Sequence, residues 1–189
     1  RTYYHPSNSY IYLYGNMDME EKLAFLDEHY LSHFDYLDVD SVIQEQKAFG
    51  ACRDVTLEYP VAENEGEEDN TYLSYNMVVG NAADSQMAMA FEVLDYALLS
   101  APGAPLKQAL LDVKAGKDVY GSYDDGILQP YFTVIAKGSN PDRKEEFVSV
   151  IRQVLGDIVK NGIDKKAVEA GINYFEFRYR EADFSSYPK

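Results

Sequence analysis

Two histidines four positions apart are the clearest candidates for chemistry in this sequence. His29 and His33 have the spacing that lets two imidazoles on one helix share a zinc ion, and Glu28 stands beside them. A catalytic zinc also needs a third ligand and a general base, and no other signal in the sequence supplies them. The alternative is a solvated or partly packed helix face. We therefore predict no metal ligand in this chain.

Adjacent carboxylates at Asp124 and Asp125 are the next candidates, as an acid–base pair. Neighbouring residues in a turn point apart, however, and Asp124-Asp125-Gly126 is itself a turn signal. The sequence contains only three histidines, which do not assemble a Ser-His-Asp triad, and it has no glycine-rich phosphate-binding loop. We predict no catalytic residue here and leave any substrate-binding residue undetermined.

The densest charge lies between Glu63 and Asp69, where five of seven residues carry a carboxylate. Like charges at this density do not pack, so the segment is predicted to be a solvated loop that joins two antiparallel strands. A calcium loop is the alternative, but the alternating ligand spacing and the closing Glu are missing.

The elements that must position these residues begin with a turn at His5-Pro6-Ser7-Asn8. Tyr10 to Tyr14 then alternates apolar and tyrosine side chains, the period of a strand. A helix from about Asp18 to Phe34 follows, capped by an Asp-x-x-Glu pair, and we expect its apolar stripe to pack on a sheet. Arg53 to Tyr59 alternates again and predicts a second strand, which Pro60 ends.

Downstream, the periodicities predict in chain order a strand at 71–79, a long helix to about 99, a short helix at 106–113, a strand pair at 117–123 and 128–137, a helix to 160 and a last helix after 164. Asn140 is expected to cap the penultimate helix, and Gly162 to stop it. This order predicts an α+β two-layer domain with a mainly antiparallel sheet and helices packed on one face. We assign residues 1–189 to one such domain.

Three aromatic residues of the last helix, Tyr174, Phe177 and Phe184, fall outside its inward stripe. Either they close the core of the domain itself, or they await a neighbouring domain.

Composition narrows the function classes. The chain has 189 residues, a formal net charge of −15 and a single cysteine, Cys52. Such an acidic surface repels phosphate backbones, so we predict no nucleic-acid partner; the surface either attracts basic peptides or serves solubility alone. No apolar run approaches the roughly 20 residues of a membrane span. One cysteine forms no intrachain disulfide, which fits a reducing compartment, the cytoplasm of a bacterium or an organelle of a eukaryote.

Three stretches resemble one family. Tyr4-His5-Pro6-Ser7-Asn8 with the segment ending Leu13-Tyr14-Gly15, then residues 99–110 continuing to Gly121-Ser-Tyr-Asp-Asp, and residues 174–188 are similar, in this order, to insulinase-type zinc metallopeptidases of the presequence protease and falcilysin branch. The resemblance implies a parent of four homologous α/β domains around a closed chamber that cuts unstructured peptides. It also implies that this segment is the second, non-catalytic domain of the N-terminal half.

In that family a His-x-x-Glu-His motif and a distant Glu of the first domain hold zinc. Here Glu28-His29 has no preceding His to complete the motif, so no catalytic residue is carried over. The resemblance implies zinc in the parent, none in this segment, and the other domains of the same chain and peptide substrates as partners. We read the chain as a fragment of a longer protein, inactive alone, that helps form the chamber wall. The alternative is a scaffold or peptide-binding protein of the same fold without peptidase activity.

Overall fold

The computed structural model describes residues 3–62, 64 and 66–181, and the chain divides into two units, residues 1–48 and 49–189. The smaller unit has a 3-10 turn at Pro6–Asn8, helix α1 at Met19–His29 and a second 3-10 turn at Leu31–His33. Asp18 caps α1 by accepting a hydrogen bond of 3.1 Å from the backbone N–H of Glu21, as predicted. The α-helix ends earlier than expected because the backbone at Tyr30 leaves the helical region, with φ −139° and ψ −63°.

The prediction of a strand at residues 10–14 is wrong. Tyr10, Tyr12 and Tyr14 are exposed, and between residues 3 and 48 the structure contains no strand. A strand needs a neighbour for its backbone hydrogen bonds, and alternation alone does not supply one. Helix α1 has no buried residue, and the described residues of its own unit contain no sheet on which its apolar stripe could pack.

The larger unit contains a three-stranded antiparallel sheet made of β1 (Thr71–Val78), β2 (Asp118–Asp124) and β3 (Tyr131–Ser139). The strand order is β1-β3-β2, so β3 lies in the middle and both other strands are edges. These three strands confirm the predictions for residues 71–79, 117–123 and 128–137. Pro130 lies just before β3, where its missing N–H costs no ladder bond.

The strand predicted at residues 53–59 does not form. Val55 and Leu57 are 71% and 84% exposed, so these apolar side chains of the alternating pattern pack on no other layer. Tyr59 contacts the sheet: its ring meets the ring of Tyr72 edge-on at 5.9 Å, and its hydroxyl bonds the carbonyl of Asn70. The segment therefore ends beside β1 without extending the sheet.

Four helices complete this unit: α2 (Ser85–Asp95), α3 (Pro105–Asp112), α4 (Lys144–Asn161) and α5 (Lys165–Glu181). A π-helical segment, Tyr96–Ser100, continues α2, and a 3-10 turn at Pro141–Arg143 leads into α4. Their buried side chains form one cluster with alternate residues of the strands: Leu73, Leu98, Leu99, Leu106, Leu110, Ala115, Val119, Phe132, Val134, Ala136, Phe147 and Ile151. The α+β class, with helices on one face of an antiparallel sheet, is thus confirmed. None of the helices within the described residues has the length and apolarity to cross a bilayer.

Gly121 of β2 allows the closest approach between the layers. A Cβ at this position would lie 2.3 Å from Cδ1 of Leu99 and 2.6 Å from the carbonyl oxygen of Thr133. The π-helical segment therefore contacts β2 directly at this position. Such close contact requires a residue without a side chain.

Candidate functional site

The two histidines of the hypothetical zinc site do not lie on one helical face. His29 is the last residue of α1, and His33 ends the following 3-10 turn. The ring of His29 packs on Phe25, with 4.7 Å between centroids. Among the described residues, no group of three or more His, Cys, Asp or Glu side chains is placed to hold a metal ion. This part of the chain offers no geometry for zinc, and the prediction of no metal ligand stays a prediction.

Asp124 and Asp125 do not form an acid–base pair. Oδ1 of Asp124 accepts a hydrogen bond of 3.0 Å from the N–H of Gly126, which closes the predicted turn. Its other oxygen accepts a hydrogen bond of 2.9 Å from the hydroxyl of Tyr131, and this carboxylate raises the pKa of Tyr131. The carboxylate of Asp124 thus stabilises the turn between β2 and β3 through these two hydrogen bonds.

The acidic loop is partly anchored, which its charge did not predict. Glu67 and Glu68 are exposed, whereas Glu63 and Glu65 lie outside the described residues. Asp69, at φ +55°, exchanges two hydrogen bonds with Asn140: its N–H donates to Oδ1 at 2.9 Å, and its Oδ1 accepts from Nδ2 at 2.7 Å.

Lys117 adds an ion pair of 3.3 Å to Asp69. The hydrogen bond from Asn140, and then Lys117, hold the pKa of Asp69 below its ordinary value. Asn140 precedes the turn into α4 as predicted, but its side chain makes no capping bond and holds the loop instead.

Among the described residues, the face of the sheet that points away from the helices is largely exposed on the two edge strands, while Thr133 at its centre is buried. We call this face the open face. It consists of alternate residues of the three strands: Tyr72, Ser74, Asn76 and Val78 of β1, Tyr131, Thr133, Ile135 and Lys137 of β3, and Asp118, Tyr120, Ser122 and Asp124 of β2. The strand register aligns these residues in rows across the sheet, with β3 in the centre.

The middle rows of the open face carry no charge. Ser74 and Tyr120 flank Ile135 in one row, and Asn76 and Ser122 flank Thr133 in the next. The charges lie at the ends. Lys137 is opposite Asp118 and stands 5.9 Å above the ring of Tyr72, while Asp124 is held by Tyr131.

Two further titratable residues, Glu92 and Asp95, lie on the side of the sheet that the helices cover, where α2 meets α5 and β2. Burial raises the pKa of Glu92, against the effect of a hydrogen bond of 3.2 Å from the hydroxyl of Tyr179. Burial also raises the pKa of Asp95, whose Oδ2 accepts a long bond of 3.5 Å from Ser100. Oδ1 of Asp95 is buried without a hydrogen-bond partner among the described residues. The two acids are three positions apart on α2 but have different partners, Tyr179 for Glu92 and Ser100 for Asp95.

The aromatic residues of α5 divide between the two expected roles. Tyr174 stacks on Tyr96 at 5.1 Å, so it closes the packing between α5 and the π-helical segment. Phe177 is 67% exposed and remains on the surface. Phe184 lies outside the described residues.

Sequence reasoning missed the open face because each of its residues has an ordinary strand role. The signal was present in the three predicted strands, whose polar alternates include Tyr72, Asn76 and Tyr120. Only the register places them side by side.

Comparisons with known proteins agree on one relationship. The family model described as the peptidase M16 inactive domain matches residues 1–175. Protein HypA of Clostridium perfringens is 46% identical over 188 residues, which are 100% of this chain and 19% of that protein. Presequence protease 1, chloroplastic/mitochondrial, of Arabidopsis thaliana is 32% identical over 193 residues, again 100% of this chain and 18% of the relative.

A solved structure shares the fold. The inactive peptidase domain of a putative zinc protease from Bordetella parapertussis matches with a TM-score of 0.52 and 12% identity, covering 60% of this chain and 62% of the other. The chain spans about a fifth of the length of the two curated relatives above.

Proposed function

Because the chain belongs to the family of inactive domains of M16 peptidases, we propose that it is the non-catalytic domain of a zinc-dependent peptidase that degrades unstructured peptides in a closed chamber. In this proposal it forms part of the chamber wall and supports the catalytic domain. The zinc is held elsewhere in the parent protein, and the partners of this chain are the other domains and the peptide substrate.

The match of the inactive-domain model to residues 1–175 carries this proposal. It covers the smaller unit and most of the larger one, including segments that form neither helix nor strand. The similarity to presequence protease 1 over the whole chain supports the choice of branch within the family. The uncharged middle of the open face supports contact with another polypeptide segment. Peptide groups and neutral side chains can bind there without desolvating a charged group.

Cys52 is the single cysteine of the chain and is exposed as a free thiol. We include a reducing compartment in the proposal for this reason, the cytoplasm of a bacterium or an organelle of a eukaryote. Fractionation of cells that produce the tagged parent checks this part of it.

The test uses the full-length protein that contains this chain. We expect it to cut an unstructured peptide and to spare a folded protein of similar size. Activity should disappear with a zinc chelator and return with added zinc, and the sequence upstream of Arg1 should contain His-x-x-Glu-His.

A control addresses the supporting role. A parent without residues 1–189 should lose cleavage while its first domain still binds zinc. Undiminished cleavage by this truncated protein would contradict a role in the chamber. A full-length protein that never cuts peptides would favour a scaffold.

A further inference from the structure

We propose that the open face of the sheet binds an extended, uncharged stretch of the peptide substrate, which lies along the strands. This inference rests on the proposed function, because that function supplies a peptide as the ligand. It adds a binding surface outside any catalytic centre and a preference for neutral side chains.

The size of the open face selects the occupant. Three strands about 4.8 Å apart, each outer strand paired with β3 at seven positions, at about 3.3 Å per residue, give a face of roughly 14 by 23 Å. That is roughly 330 Å², whereas a stable protein interface needs about 800 Å² on each partner. The face is therefore too small to hold a second copy of the chain or a neighbouring domain by itself. Its length corresponds to about seven residues of an extended peptide.

The side chains of the open face suit such a ligand. Tyr72 and Tyr120, on the two edge strands, are 47% and 39% exposed and offer aromatic surfaces on either side of β3. In the middle rows, Ser74, Asn76 and Ser122 are exposed and carry hydroxyl and amide groups. Peptide N–H and C=O groups can exchange water for these partners without leaving a polar group unpaired.

Charge decides the preference. The chain carries −15, yet the middle rows of the open face are neutral. At its ends, Asp118 pairs with Lys107 of α3 at 3.5 Å, Lys137 lies over the ring of Tyr72, and Asp124 is bonded to Tyr131. A charged side chain placed over these rows would lose hydration and gain no ion pair. Binding at this face should therefore favour neutral stretches and depend little on salt, unlike steering by the overall acidic field.

The experiment measures binding by fluorescence anisotropy on the full-length protein with its zinc removed, so that no probe is cut. The probe is a fluorescein-labelled extended peptide rich in Ser, Asn and Tyr, compared with versions that carry central Lys or Asp residues. Tyr120→Ser should weaken binding of the neutral probe about tenfold. Tyr12→Ser, which removes a tyrosine that is 83% exposed in the other unit, is the matched control and should leave affinity unchanged.

A second variant guards against effects on folding. Ser122→Lys adds a charge to an exposed position of the middle rows, and it should weaken the neutral probe while affinity for the Asp-containing probe rises. Equal affinity of wild type and Tyr120→Ser for the neutral probe overturns the proposal. So does a strong loss of binding between low and high salt.

A labelling experiment tests whether a neighbouring domain covers the open face in place of a peptide. Ser122→Cys in a Cys52→Ser background should react with a maleimide in the full-length protein and be protected by the neutral probe. Protection without any peptide means that a neighbouring domain covers the face, and the proposal is then wrong. Peptide cleavage is measured separately: cleavage with failed binding tests refutes the open face alone, whereas no cleavage refutes the proposed function.

Discussion

The hydroxyl of Thr133 donates a hydrogen bond of 2.9 Å to Oδ1 of Asn76, its cross-strand partner on β1. Thr133 is only 6% exposed, so this bond satisfies a buried hydroxyl at the centre of the open face. Asn76 donates in turn from Nδ2 to the hydroxyl of Ser74 at 2.9 Å. The amide is thereby fixed in orientation, which gives the surface a defined polar centre.

Gly121→Ala should destabilise the larger unit. The new methyl group would meet Leu99 and the carbonyl of Thr133 at distances that force the layers apart, and overpacking of this kind costs about 1–3 kcal/mol. Urea denaturation gives the free energy of unfolding. Gly156→Ala is the control, because nothing lies within 4 Å of that position on the exposed side of α4. Gly156→Ala should raise the free energy of unfolding by about 0.5–1 kcal/mol. Equal effects of the two variants would contradict the close approach between Gly121 and Leu99.

Asp69 should make stability sensitive to acid. Its pKa is lowered in the folded state by Asn140 and then Lys117, so its contribution is full above the unfolded pKa of about 3.9. The contribution disappears as pH falls through the folded pKa. An NMR titration should report the lowered pKa, and Asn140→Ala should return it toward the ordinary value. Glu67→Gln, on the exposed part of the same loop, should leave the titration of Asp69 unchanged.

Asp95→Asn should stabilise the fold near neutral pH. Burial raises the pKa of Asp95 in the folded state, so the wild-type carboxyl opposes folding increasingly as pH rises from about 3.9 through the folded pKa. The difference in free energy of unfolding between variant and wild type should thus grow from pH 3 to pH 7. Asp157→Asn, at an exposed position of α4, provides the control for replacing an acid by its amide.

Phe177→Gln should reduce self-association of the isolated chain without reducing its stability. The side chain is largely exposed and available to an apolar partner surface. Light scattering over a concentration series measures the association. Tyr174→Gln should instead lower stability, because that ring stacks on Tyr96. A strictly monomeric wild type would contradict this expectation.

The predicted strands that were confirmed share one property: each pairs with another strand of the larger unit. β1, α4 and α5 follow directly from their periodicities, and the turn at Asp124 follows from its residue types. Residues 10–14 and 53–59 have equally clear alternation but form no strand. An alternating pattern predicts which side chains would share a face of a strand. It does not predict whether a partner strand is present to form the backbone hydrogen bonds.

Residue patterns predicted the fold class and the lengths of most helices, because amphipathic periodicity and turn chemistry act over a few neighbouring residues. The family followed from the resemblance of three stretches. Which side chains meet depends on the folded chain. Asp69 and Asn140 are 71 positions apart, and Asn76 and Thr133 are 57 apart, yet each pair is joined by hydrogen bonds. The register of strands that are distant in sequence creates such contacts, and with them the open face, so no local pattern could specify them.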